Sequence, residues 1–263
     1  MKSAGGGQRS PAVGLGREEA RAKILVTFGP TVRSAPLPAT VAEPLAITGD
    51  EGVAVSGLLQ TPPHPRACYV LAHGAGAGMH HPFLAAIAAE LCERGIATLR
   101  YQFPAMERGA RRPDPPHLAQ ATVLAAVAAA ARAVPQLPLI AGGKSFGGRM
   151  TSQAQASAPL PGVRGLAFLG FPLHPAGRPS SARAEHLFAV RVPMLFLQGT
   201  RDALATLDQL EPVCRKLGAL ASLKLFKDAD HSFHVPARSG RTDPQVRAEM
   251  CDAFAGWVDR VLA

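Results

Sequence analysis

Residues 138–148 read PLIAGGKSFGG, and two chemistries compete for them. Gly143-Lys144-Ser145 is how a phosphate-cradling loop ends, whereas Gly143, Ser145 and Gly147 spell G-x-S-x-G, the turn that presents a serine nucleophile. The phosphate loop needs its first glycine where this chain has Pro138, which has no N–H to offer. Leu139-Ile140-Ala141 continue as a short apolar run instead of a long glycine-rich loop. A buried strand turning sharply into a helix is what the nucleophile reading requires, and Phe146 to Ala158 reads as that helix. Ser145 is therefore the candidate nucleophile, with Lys144 the residue before it.

A serine hydroxyl attacks a carbonyl only when a base takes its proton, and the base needs a carboxylate to fix its tautomer and stabilise its charge. One known arrangement runs Ser, then an acid, then His along the chain, each on a loop at the carboxyl edge of a sheet. Asp202 follows the apolar run PMLFLQ, and His231 follows LKLF in the loop DADHSFH. Asp228 and Asp230 are rival carboxylates and His234 a rival base, but the acids share the histidine's own loop and His231 comes first after its strand. The oxyanion formed in acyl transfer needs two fixed N–H donors. Phe146, next after the nucleophile, supplies one. His73-Gly74-Ala75-Gly76-Ala77-Gly78 supplies the other, from Ala75 or Gly76. The glycine spacing of that loop does not fit G-x-G-x-x-G, and no acidic residue follows at the distance a dinucleotide site needs.

These loops must be held by strands and helices. Val53–Leu59, Ala67–Ala72, Ala97–Phe103, 138–142, Val163–Phe171, Pro193–Gln198 and Ser222–Phe226 read as strands. Pro82–Glu93, His117–Ala133, the stretch after Ser145, Ala205–Leu217 and Pro244–Leu262 read as helices. Such alternation gives an α/β domain over residues 41–263, a mostly parallel central sheet flanked by helices on both faces. Ligands then bind beyond the carboxyl ends of the strands. Residues 1–40 are rich in Gly, Pro and Arg around one apolar patch, Ile24-Leu25-Val26, and read as a poorly structured basic tail.

Lys and Arg number 28 against 19 Asp and Glu, a formal net charge of +9, yet no basic run exceeds two residues and only two Tyr and one Trp are present for base stacking. That excludes a nucleic-acid reading. Cys68, Cys92, Cys214 and Cys251 form no C-x-x-C pair, so neither a zinc site nor a dithiol is expected, and no metal or cofactor is. The most apolar stretch, Ala119 to Val134, is broken by Gln120, Thr122 and Arg132, so no membrane span is expected. The N-terminus lacks the apolar core of a secretory signal, which makes the cytoplasm the expected location.

The segments LAHGAGAGMHHPF, LRYQFPAMERGARRPD, AGGKSFGGRM, FLGFPLHPAGRP, LQGTRDAL and DADHSFHV resemble a small branch of the α/β-hydrolases over roughly residues 45–262. That branch includes dienelactone-hydrolase-like bacterial proteins, testis-expressed hydrolase-like animal proteins and a domain of a histone-acetyltransferase complex subunit. The resemblance implies the α/β-hydrolase fold and carries the triad onto Ser145, Asp202 and His231. True dienelactone hydrolases use a cysteine nucleophile where this chain has Ser145, so the resemblance does not carry that substrate over.

Only Pro172 to Val192 separates two of the strands, enough for one short helix around Ala182–Phe188 and no large cap domain. The expected activity is hydrolysis of an ester, thioester or similar acyl bond of a small substrate at an open site. A binding or scaffold module with a vestigial triad is the alternative. Arg108, Arg111 and Arg112 lie on the rim, with Lys144 and Arg149 nearby, and are placed to hold an anionic group of the substrate. The competing reading is a solvated loop whose arginines pair with Glu107 and Asp114. His80, His81 and His174 are expected to line the entrance.

Overall fold

The computed structural model describes residues 41–50, 52–110 and 112–263. The tail at 1–40, with its apolar patch, and Arg111 lie outside the described residues. Eight strands form one sheet among the described residues: β1 (Glu43–Thr48), β2 (Ala54–Gln60), β3 (Ala67–Ala72), β4 (Ile96–Tyr101), β5 (Leu139–Lys144), β6 (Val163–Leu169), β7 (Met194–Gly199) and β8 (Ala221–Phe226). Their order across the sheet is β1-β2-β4-β3-β5-β6-β7-β8. β2 pairs antiparallel with both β1 and β4, and the other neighbours are parallel. The mostly parallel sheet follows from the alternation of apolar runs with helical stretches.

Every residue of β3, β4 and β7 is buried, because helices cover both faces of the sheet. Alternate side chains divide the core. Cys68, Val70 and Ala72 pack in one cluster with α3 (Pro116–Ala133), α4 (Phe146–Ser157) and α5 (Leu207–Leu217). Ala67, Tyr69 and Leu71 pack in the other with α1 (Pro82–Glu93) and α6 (Asp243–Leu262). All four cysteines are buried and unpaired. Among the described residues no helix is long and apolar enough to cross a membrane.

Three elements differ from the sequence reading. β1 was not expected, since only Ile47 in EPLAIT is buried and an edge strand of that kind shows no pattern. The strand expected to reach Phe103 stops at Tyr101, and Pro104–Glu107 forms a one-turn helix, α2, where a loop was expected. The connection between β6 and β7 agrees with the sequence reading: it holds one short helix, a 3-10 helix over Ala182–Ala189, and no cap domain.

Candidate active site

Ser145 stands between β5 and α4 with φ +50° and ψ −115°, a conformation that costs a residue with a Cβ about 1–3 kcal/mol. The surroundings hold it there. Its N–H donates to the Leu169 carbonyl at 3.2 Å, and its own carbonyl accepts from the Arg149 N–H at 3.1 Å. A Cβ at Gly147 would lie 2.5 Å from the His73 carbonyl oxygen, and one at Gly143 would run into the Ala72 carbonyl. Both glycines are thus required by the close approach of β3, which lets the turn be sharp enough to push the serine up at the carboxyl edge.

Three loops meet at that serine. His231 Nε2 lies 2.9 Å from Ser145 Oγ, and His231 Nδ1 lies 2.7 Å from Asp202 Oδ2. The Asp202 side chain is fully buried, yet both oxygens are occupied: Oδ1 accepts from the Leu204 N–H at 2.8 Å, and Oδ2 also accepts from Gln198 Nε2 at 2.5 Å. Gln198 is itself fixed, because its Oε1 accepts from the Phe171 N–H at 2.9 Å. Two of the rivals are engaged elsewhere: Asp230 Oδ1 caps its own loop by accepting from the Ser232 and His234 N–H groups, and His234 pairs with Asp243. Asp228 is tied to its loop through its backbone N–H, which donates to Thr200 Oγ1. The geometry can pass a proton from the serine to the imidazole while the buried carboxylate faces the other ring nitrogen.

Lys144 does not reach the rim as an anion ligand. Its ammonium donates to the His231 carbonyl at 2.6 Å and lies 5.5 Å from the centre of the Phe233 ring, so it ties the histidine loop to the elbow. Burial lowers its pKa to about 8, against the opposing pull of Asp202 and Asp230.

The glycine-rich loop after β3 is anchored at both ends. The His73 ring accepts from the Phe103 N–H at 3.0 Å through Nε2, so its proton sits on Nδ1, which donates to the Gly74 carbonyl at 2.7 Å. Burial lowers the His73 pKa, which keeps the ring neutral in this role. At the far end the Met79 N–H donates to Gln102 Oε1, and the Met79 carbonyl accepts from Arg100. Between them the Ala77 N–H bonds the Gly74 carbonyl, with Gly76 at φ +70° in the third position of the turn. Among the described residues the Ala75 and Gly76 N–H groups meet no acceptor. A Cβ at Gly74 would stand 3.8 Å from Ser145 Cβ, so this turn lies against Ser145. Phe146 begins α4, where the N–H groups of the first turn have no partner within the helix.

The remaining rim residues mostly do structural work. Arg108 pairs with the buried Asp114, whose other oxygen accepts from the Ala105 N–H. That is the solvated-loop reading, and Arg108 is not free for a ligand. Arg112 is exposed. His174 is buried, its Nδ1 2.9 Å from the Pro175 carbonyl and its backbone N–H bonded to Leu204, so it braces the Asp202 loop and does not line an entrance. His81 is exposed and caps α1 by accepting from the Phe83 N–H, and His80 is exposed beside it. Sequence reasoning missed His73, Gln102 and Gln198. Gln198 carried a signal, as a lone amide near the end of an otherwise apolar strand buried on both faces.

Residues 65–259 match the family described as the alpha/beta hydrolase domain. Among solved structures, the fold is similar to that of dienelactone hydrolase from Anabaena variabilis, with a TM-score of 0.69 and 19% identity over 84% of this chain and 98% of that one. It is also similar to XC6422 from Xanthomonas campestris, an α/β serine hydrolase without a lid, with a TM-score of 0.65 and 22% identity over 85% and 98% of the two chains. The esterase domain of a Rhodothermus marinus protein gives 0.61 and 17% over 83% and 98%. At these identities the likeness is one of fold.

Proposed function

The chain belongs to the alpha/beta hydrolase domain family, and from that premise we propose that it is a serine hydrolase cleaving an ester, thioester or similar acyl bond of a small substrate. The observation that carries the reading is the unbroken relay from Ser145 Oγ through His231 to the buried Asp202, at 2.9 and 2.7 Å. Ser145 Oγ attacks the acyl carbon while its proton passes to His231 Nε2. The tetrahedral oxyanion is received by the N–H groups of Phe146 and of Ala75 or Gly76. Collapse expels the alcohol or thiol, which leaves with the proton from His231, and an acyl-serine remains. Water then attacks, gives its proton to His231, and the acid is released as that proton returns to Ser145.

The short connection between β6 and β7 supports a small substrate at an open site, because it offers no lid to bury a long acyl chain. A fluorophosphonate probe tests the proposal without a guess at the substrate. The label is expected on Ser145 and is expected to vanish in His231→Ala. A folded protein that takes no label refutes the reading and favours a binding module.

A further inference from the structure

The arginines that sequence places on the rim are partly accounted for by Asp114, but tertiary structure assembles another pair. Arg149 lies on the first turn of α4, four residues after Ser145, so the two share a face of the helix. Helical side chains lean toward the N-terminus, and for Arg149 that is the direction of the turn holding Ser145. The 3-10 helix Ala182–Ala189 packs against α4 from the connection after β6 and brings Arg183 beside it.

The two guanidinium charges repel each other, and among the described residues neither has an ion pair. Arg149 Nε is buried without an acceptor. Partial burial and the Arg183 charge together hold the Arg149 pKa below its ordinary value, and no carboxylate pulls the other way. The neighbours do not relieve this. Glu185, on the same 3-10 helix, is exposed, and His186 is kept neutral near pH 7 by burial and by Arg149, its ring bonded to Ser152. Arg149 thus carries a buried donor with no acceptor beside a second cation, an arrangement that an anionic group would satisfy.

We propose that Arg149, supported by Arg183, binds a carboxylate on the substrate, so that this site prefers acyl esters bearing a negative charge. The inference rests on the serine-hydrolase reading for its chemistry but not for its binding. A guanidinium fork matches the two oxygens of a carboxylate, and Arg183 adds attraction for the same charge.

The experiment compares two matched pairs of esters, 4-nitrophenyl hydrogen glutarate with 4-nitrophenyl valerate, and 4-acetoxybenzoate with phenyl acetate. The first pair puts the charge on the acyl side, the second on the leaving group. The readout is the charged-to-neutral ratio of kcat/KM. Arg149→Gln is expected to lower that ratio about tenfold or more for one pair, Arg183→Gln by less, and Arg149→Lys to fall between. Ratios unchanged within about twofold for both pairs overturn the proposal. Calorimetric titration of Ser145→Ala with the charged esters separates the two readings, since it needs no turnover. Binding that disappears in Ser145→Ala/Arg149→Gln supports the anion site even if the wild type hydrolyses nothing, and binding that survives removes it. Thermal melting guards against a folding artefact. Arg149→Gln is expected to melt at or above the wild type, and a lower melting temperature with unchanged ester ratios assigns Arg149 a structural role instead.

Discussion

Ser145 and Ser152 each meet a histidine Nε2, at 2.9 and 2.7 Å, and everything behind the two contacts differs. Ser145 leaves its turn at positive φ, and its histidine rests on a carboxylate that accepts from a backbone N–H and an amide besides the ring. Ser152 is fully buried inside α4, and its hydroxyl also bonds the Arg149 carbonyl at 3.0 Å. Among the described residues no carboxylate backs His186, whose pKa burial and Arg149 together lower to about 4. Hydrogen bonding to a histidine is therefore not activation. Activation takes a partner for the positive imidazole, access for an acyl carbon, and unspent donors nearby for the oxyanion.

The sharpest way to break this contrast is to remove each serine. Ser145→Ala is expected to lower turnover of an activated ester by about 10³-fold or more with folding intact, while Ser152→Ala changes it by no more than about threefold. Comparable losses from both, measured on proteins with native circular dichroism, erase the distinction. Asp202→Asn comes next. A carboxamide cannot stabilise the imidazolium, and kcat is expected to fall about 10³-fold with little change in KM.

Gln198→Leu probes the layer behind. It removes one donor to Asp202 and strands the buried Phe171 N–H, so a loss of about 1–3 kcal/mol in stability is expected from denaturant unfolding. A roughly tenfold fall in kcat should accompany it as Asp202 loosens. An unchanged kcat would show that Leu204 and the loop suffice to hold the carboxylate.

The smallest effect concerns pH. His186 is held near 4 in the folded chain against an ordinary value of 6.5, so between those limits the unfolded chain binds more protons. The stability difference between wild type and His186→Gln should shrink as pH falls from 6.5 to 4, and stay level above 6.5. A flat difference across that window, read from melting temperatures, would show that His186 takes up a proton without cost.

The sheet was legible because β6 and β7 are near-continuous apolar runs, as expected of strands covered on both faces. β1 was not, since Ile47 is its one buried side chain, and α2 is too short to carry a helical period. Of the site, the serine, acid and histidine could be named as candidates because each follows a strand within a few residues. The rivals His234 and Asp230 could not be dismissed on physical grounds until their other partners were visible, nor Asp228 until Asp202 was seen at the ring of His231.

By itself the sequence determined the elbow, since Gly143-Lys144-Ser145-Phe146-Gly147 announces its turn by residue type: two absent side chains flanking one strained residue. The tertiary structure alone decided which charges are satisfied. Lys144 finds the His231 carbonyl 87 residues away, Arg108 finds Asp114, and Arg149 feels the charge of Arg183 without an ion pair among the described residues. Pairing of charges is a matter of distances across the fold, and composition and spacing along the chain do not fix those distances.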